Sequence, residues 1–354
     1  MKVARSYGVK DIRVEEINLR APKDNEVQIN VKYCGICGSD IHGYFQGWAL
    51  PTIPHPITEK TLPVVLGHEF SGEVVKVGKD VKRFVPGDRV AIEPLLYCGQ
   101  CEPCRKGVFS CCESAVGEDG SGNIIGFGED GGFAEYVNVD VKSVYKIPDS
   151  LNYKVASLVE PTAVAVKAIQ RSGLKAGQSI AIFGAGPIGL LIAVVAMQAG
   201  ATDVFIVDVS EERLEIAKEI GAKYTLNPTK VDPVSEIKKI TNNGVDVAYD
   251  VAGVQATLDA SIDVIKKVGT IQIVAVFAEN PILRLSDLLM KGANLITTLC
   301  YENNYSETIR LIAQKPEIYE KIITKVIKLD NIVEGIETLH TDKSQAKVLV
   351  ETGK

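Results

Sequence analysis

The sequence predicts an α/β chain of two domains, a β-rich unit followed by a doubly wound parallel sheet. Three observations carry that expectation. From Glu26 to about Pro148 the chain runs in short β-rich segments cut by Gly and Pro. Beyond about Gln178 it alternates buried strand-like runs with amphipathic helical ones, the rhythm of a sheet covered on both faces. Gly184, Gly186 and Gly189 sit at the first strand-to-helix junction of that alternation.

In chain order, EVQINVKY, FSGEVVKVG, RVAIEP and GGFAEYVNVD read as strands of the first unit. The texture changes near Leu151, where LNYKVASLVEPTAVAVKAIQRSG places apolar residues at helical spacing and stops at Gly173, so a helix bridges the halves. QSIAIFG is a buried strand, followed by a helix to about Ala199, the strand DVFIVDV, the helix SEERLEIAKEIGA, and the strands VDVAYDVAG and GTIQIVAV. After Ala293, LITTLCY, the helix SETIRLIAQ and the run QAKVLVE need partners, and part of them is expected back on the first unit. The expected division is residues 1–155, 156–293 and 294–354.

At 354 residues the chain is too long for one ordinary core, and 46% hydrophobic with 24% charged residues is the composition of a soluble globular protein. A net charge of −6, with Lys and Arg scattered, argues against a nucleic-acid surface. The longest apolar stretch, Ile180 to Ala199, is broken by Gly184, Gly186, Pro187 and Gly189 and cannot be a membrane helix. The opening MKVARSYG has no apolar run of a signal peptide, so a cytoplasmic location with reduced thiols is expected. No internal repeat is evident.

Cys98, Cys101, Cys104 and Cys112 follow the spacing C-x2-C-x2-C-x7-C, enough thiolate to close a tetrahedral shell around one zinc ion. Cys111 adjoins Cys112 and leaves the fourth ligand open between them. A closed all-sulfur shell holds a loop but activates no substrate, so the chemistry lies elsewhere. Cys34 and Cys300 are expected in the interior.

The glycines form G-x-G-x-x-G between strand SIAIF and a helix opening at Pro187 and Ile188, the context in which this pattern seats a dinucleotide pyrophosphate on a helix N-terminus. Asp208 ends the next strand, 24 residues after Gly184, where a carboxylate accepts the ribose hydroxyls of NAD and repels a 2′-phosphate. Arg213, on the helix that follows, is counted with the cofactor-binding residues.

YCGICGSDIHGY carries Cys37, Ser39, Asp40 and His42, and LGHEFSGE carries His68 and Glu69; the chain has only 4 histidines. A catalytic zinc needs about three protein ligands and one open position. Cys37 and His68 supply sulfur and nitrogen, and a carboxylate completes the set. Glu69 adjoins His68, while Glu160 lies in the apolar SLVEPTAV, where a carboxylate is costly unless paired or metal bound. Tyr44, Phe45, Trp48, Phe127 and Tyr301 are candidate walls for a small substrate, with Tyr44, Phe127 and Tyr301 foremost. The glycine-rich segment from Gly120 to Gly132 is flexible enough to line or cover the cleft, and an ordinary surface loop is the alternative reading.

Together CGICGSDIH, LGHEFSGEVVKVG, the four-cysteine lobe, GGFAEY, LVEP and GAGPIGLL resemble the zinc-dependent medium-chain alcohol dehydrogenases over nearly the whole chain. PHPITEKTLPVVLGHEFSGEV, EPLLYCGQC and VEPTAVAV are similar to the 2,3-butanediol dehydrogenases, or acetoin reductases, more than to sorbitol or threonine dehydrogenases. The resemblance implies a GroES-like catalytic domain, a Rossmann domain for NAD and an active site between them. It further implies two zinc ions per chain. Cys112 would be the fourth lobe ligand. Cys37, His68 and Glu160 would hold the reactive zinc with Glu69 beside it, although in polyol relatives the carboxylate matching Glu69 can coordinate while that matching Glu160 holds a water. The implied reaction interconverts a secondary alcohol and a ketone by hydride transfer, with zinc stabilising the alkoxide. Ser39 passes the proton through the nicotinamide ribose toward His42, the favoured centre is R, and the assembly is a homodimer or homotetramer. A polyol or threonine dehydrogenase is the second reading. A zinc ribbon for nucleic acid or protein, and a nucleotide-binding protein without catalysis, are the readings from other classes.

Overall fold

A computed structural model describes residues 1–353. The strand Glu26–Gly35 is the spine of a seven-stranded sheet. Along one side it pairs antiparallel with Glu69–Val77; along the other it meets Tyr136–Asp140 and then Lys347–Glu351. Arg89–Ile92 and Val144–Lys146 extend the sheet one way and Ile323–Lys328 the other. Val27, Ile29 and Val31 recur with the period of two that puts them on one face, where they pack on Phe70, Val74, Val90 and Val350. A second sheet of three strands, Lys2–Gly8, Asp11–Glu16 and Val64–Val65, lies alongside.

The other half is a six-stranded, wholly parallel sheet. Its order is Tyr224–Leu226, Asp203–Val207, Ser179–Phe183, Val245–Asp250, Ile265–Ile273, Asn294–Thr297, which in chain order is 3-2-1-4-5-6, a doubly wound dinucleotide fold. Strand order reverses between Ser179–Phe183 and Val245–Asp250, so a crevice opens at their carboxyl ends, beside Gly184. The helix Pro187–Gln198 is apolar nearly all round because it is covered on both sides, and its proline sits at the start, where a missing N–H costs nothing.

The helix Val159–Ser172 joins the halves and stops at Gly173, which adopts the left-handed conformation. Its apolar face belongs to a core that runs from Ala91 and Leu95 of the first half through Ile182 and Leu191 of the second to Tyr301 and Tyr305. The Tyr305 hydroxyl donates to the Ile92 carbonyl across the same seam.

The division expected at residue 293 is displaced. Of LITTLCY only the first residues are strand: Asn294–Thr297 is the sixth strand of the parallel sheet, and the helix Tyr305–Gln314 packs on Val159–Ser172. The chain rejoins the first sheet only from Ile323. Patterning marks a run as strand-like but does not name its neighbour.

Candidate active site

Cys37 caps the helix Gly38–Gln46, and His68 immediately precedes the strand that begins with Glu69. These two turns are brought together by Asp40, which is wholly buried: its Oδ2 accepts the Cys37 N–H at 2.8 Å and its Oδ1 the Gly67 N–H at 3.3 Å. The same Oδ1 lies 3.7 Å from His68 Nδ1, which has no closer partner. One ligand atom from each of Cys37, His68 and Glu69 falls within 4.8 Å of the others. The Ser39 hydroxyl lies 3.3 Å from His68 Nε2, and His42, one turn further along the helix and exposed, shares its face.

Glu69 is not idle. The buried Lys347, on the last strand, places its Nζ 2.6 and 2.8 Å from the two Glu69 oxygens and also donates to the Ile36 carbonyl. Glu160 is buried in the first turn of Val159–Ser172 and stands outside the 4.8 Å set, close enough for mutual electrostatic influence with His68 and Glu69. Burial pushes its carboxyl up to about 7; His68 opposes the shift, and Glu69 adds to it. Burial disfavours a charged His68, yet Asp40, Cys37 and Glu160 outweigh it and push the imidazole up to about 10. A position where a buried ring is driven to hold a proton by surrounding anions suits a cation, and the thiol, imidazole and carboxylate donors are those of a catalytic zinc.

In the lobe, the sulfurs of Cys98, Cys101, Cys104 and Cys112 all lie within 4.8 Å of one another, with Cys112 buried and Cys111 exposed. The Gln100 and Cys101 N–H groups point at the Cys98 sulfur from 3.5 and 3.4 Å and pull that thiol down to about 6, toward the thiolate a metal takes. The donor set fits a structural zinc.

At the glycine turn, Gly184 has φ +114°, and a Cβ on Gly189 would stand 1.9 Å from the Gly184 carbonyl oxygen, so the third glycine is there for close packing. A Cβ on Gly186 would meet nothing within 4 Å, so that backbone faces open space at the helix N-terminus, a cradle suited to a pyrophosphate. Asp208 accepts the Ala185 N–H at 2.6 Å and the Ser210 N–H at 2.9 Å, which fixes its carboxylate at the strand end.

Residues 23–149 match the family described as alcohol dehydrogenase GroES-like domain, and residues 187–314 the family described as zinc-binding dehydrogenase. The (R,R)-butanediol dehydrogenase of Bacillus subtilis is 40% identical over 356 residues, covering 99% of each chain. The sorbitol dehydrogenase of the same bacterium is 34% identical over 99% of this chain and 97% of its own. A crystal structure of the Bacillus subtilis 2R,3R-butanediol dehydrogenase matches with a TM-score of 0.92 at 39% identity, over 99% of both chains. The chain belongs to the zinc-dependent alcohol dehydrogenase family.

Within this dehydrogenase the expected walls separate. The Phe127 ring is buried 5.9 Å from His68 and meets Trp48 edge-on at 5.8 Å. Tyr301 is wholly buried; its hydroxyl has no closed hydrogen bond, and it lowers the Glu160 pKa. Tyr44 is turned away: its hydroxyl donates to Glu337 at 2.8 Å, and neighbouring Phe45 stacks on His340 at 4.1 Å, so both fasten their helix to Ile332–Thr341. Arg213 spends its guanidinium on the Gln345 carbonyl, at 2.8 and 3.1 Å, and so ties the nucleotide half to the C-terminal segment. Cys34 is buried and Cys300 half-buried.

Two residues of the dehydrogenase site were given no role on sequence grounds. Asp40 stands in GSDIH between Ser39 and His42, and only its burial against Cys37 and Gly67 shows what it does. Lys347 gave no local signal, since its partner Glu69 is 278 residues away.

Proposed function

We propose that this dehydrogenase oxidises 2,3-butanediol to acetoin and runs the reverse reduction, with NAD as redox partner and one zinc at each cysteine-bearing centre. The observation that carries this is the convergence of Cys37, His68 and Glu69 within 4.8 Å, with Glu160 behind them and the Phe127 ring beside them. When bound, zinc supplies Lewis acidity toward an alcohol oxygen and nicotinamide accepts the hydride.

The chain's own residues do the rest. Cys37, His68 and a carboxylate, Glu69 or Glu160, hold the ion, and Asp40 orients the His68 ring. Lys347, paired with both Glu69 oxygens, would compete with an ion for that carboxylate, which leaves Glu160 the freer of the two to hold it. Ser39, whose hydroxyl lies beside His68, would take the substrate proton, and exposed His42 on the same helix face would return it to solvent. Phe127 and Trp48 would wall the cleft on its apolar side, and the preference for a butanediol with an R centre over a six-carbon polyol rests on the similarity to the (R,R)-butanediol dehydrogenases. Gly184, Gly186, Pro187, Ile188 and Gly189 seat the pyrophosphate, while Asp208 receives the adenosine ribose and disfavours NADP.

Among the described residues no helix is long and apolar enough to cross a membrane. The thiolate lobe suits a reducing compartment, and we place the enzyme in the cytoplasm. Asn294–Thr297 is the outer strand of the parallel sheet, and near it Ile282, Leu285, Leu289 and Met290 are all more than half exposed. A second copy of the chain, pairing edge to edge, is the partner that surface suits, giving a homodimer or a dimer of dimers.

The test is NADH formation with (R,R)-, (S,S)- and meso-butanediol, sorbitol and L-threonine, before and after chelation. The expected result is oxidation of the isomers that carry an R centre, lost on chelation and restored by zinc. A higher kcat/KM with sorbitol or threonine would overturn the butanediol reading.

A further inference from the structure

The two loops beside the His68 cleft are fastened at points away from it. Asp119 accepts the N–H groups of Thr52 and Ile53 at 2.7 and 3.0 Å, the Thr52 hydroxyl at 2.8 Å and the Ser121 N–H at 3.0 Å, so one carboxylate staples the loop 49–62 to the loop 115–130. His55 makes the second fastening. Only 1% exposed, it bonds the Ala115 carbonyl through Nε2 at 2.9 Å and presents Nδ1 to the N–H groups of Ile57 and Thr58 at 3.3 and 3.4 Å. A carbonyl only accepts and a peptide N–H only donates, so the ring is neutral with its proton on Nε2. The Thr58 hydroxyl closes a short bond to the Gly128 carbonyl, one residue past Phe127. The fit is tight: a Cβ on Gly128 would stand 2.7 Å from His55 Nε2.

Neither Trp48 nor Phe127 takes part in these bonds through its side chain, yet each stands at the edge of a fastened loop. Trp48 is 49% exposed, a large apolar ring set edge-on against Phe127, whose own ring lies 5.9 Å from His68. The loop 115–130 carries five glycines and has little stiffness of its own, while the loop 49–62 has none and is stiffened by Pro51, Pro54 and Pro56, so the position of the Trp48–Phe127 wall is set by what fastens the flexible loop to the stiff one.

We propose that His55 is a positioning residue for substrate selection: it clasps the loop 49–62 to Ala115 and, through Thr58, to Gly128. It thereby fixes Trp48 against Phe127 as the wall that limits the size of the alcohol beside His68. Asp119 is the second clasp on the same wall. The inference rests on the reading of that cleft as the seat of a small secondary alcohol.

Trp48 is the one tryptophan of the chain, so its fluorescence reports the wall without any substrate. The experiment compares the zinc-loaded parent with His55→Ala, Asp119→Ala and His55→Gln, the last keeping a donor and an acceptor on one side chain. In both alanine variants the emission shifts to the red and acrylamide quenches it more readily, whereas His55→Gln stays close to the parent. The preference for 2,3-butanediol over 1-phenyl-1,2-ethanediol, as a ratio of kcat/KM, falls about tenfold in the alanine variants. Unchanged emission and preference in a folded alanine variant, or a His55→Gln as altered as His55→Ala, would overturn the proposal. If His55→Ala does not fold, Asp119→Ala carries both readouts. If butanediol is no substrate of the parent, the proposed function falls, and the fluorescence of the variants still decides the wall.

Discussion

With no metal bound, burial pushes the Glu160 carboxyl up to about 7 from an ordinary 4.5, and His68, against the burial that opposes it, is pushed up to about 10 from 6.5 by Asp40, Cys37 and Glu160. Both folded values are raised, so between the two values of each pair the folded chain keeps a proton that the unfolded chain has released. The stability each group contributes is complete below its unfolded value and is lost as pH rises through its folded one. Denaturant unfolding of the chelated enzyme should therefore show stability falling from about pH 5 to pH 10, by at most roughly 1.4 kcal/mol per pH unit for each group. Glu160→Gln should lessen the slope between about pH 4.5 and pH 7 and, because Glu160 is among the groups that raise His68, also end the upper part of the fall at a lower pH; a slope untouched by that substitution would reject the assignment. The Glu69–Lys347 pair makes a second expectation. Lys347→Met strands a buried carboxylate and should cost about 3–5 kcal/mol in the chelated enzyme. Zinc offsets part of that loss, because the freed Glu69 oxygens can face the ion instead, and unfolding with and without zinc measures the difference.

At the level of elements, the glycine turn separates packing from binding. Gly189→Ala should destabilise the fold by about 1–3 kcal/mol, since its Cβ has to displace the Gly184 carbonyl. Gly186→Ala, with open space above it, should leave the unfolding transition in place and weaken NADH binding, read by fluorescence titration. Equal effects on stability from the two would contradict the packing role given to the third glycine. The turn was legible in the sequence because strand, glycines and helix are contiguous, and the cysteine lobe for the same reason. What was illegible depends on distance along the chain. Nothing near Lys347 announces Glu69, nothing in GYF shows that Tyr44 reaches Glu337, and the four strand residues from Asn294 do not declare which sheet they join. Nothing in the sequence announces a role for His55, because its contacts are the Ala115 carbonyl, two N–H groups of its own loop and the neighbouring Thr58 hydroxyl, none of which leaves a pattern along the chain.

For the whole molecule, the apolar edge beside Asn294–Thr297 is expected to be covered by a second copy. Leu289→Asp places a charge in that patch and should shift the sedimentation coefficient toward a monomer while zinc content stays at the parent value; an unchanged assembly would move the interface elsewhere. The halves also share one core along Val159–Ser172, so the sites proposed for an ion between Cys37 and His68 and for a nucleotide at Gly184 would be set relative to one another by a common helix rather than by independent domains. The most direct test of that arrangement is a zinc-edge anomalous difference map from crystals of the active, zinc-replete enzyme. The expected result is two peaks per chain, one enclosed by Cys98, Cys101, Cys104 and Cys112 and one between Cys37, His68 and the carboxylates of Glu69 and Glu160. A map with the lobe peak alone, from enzyme that still turns over, would contradict it.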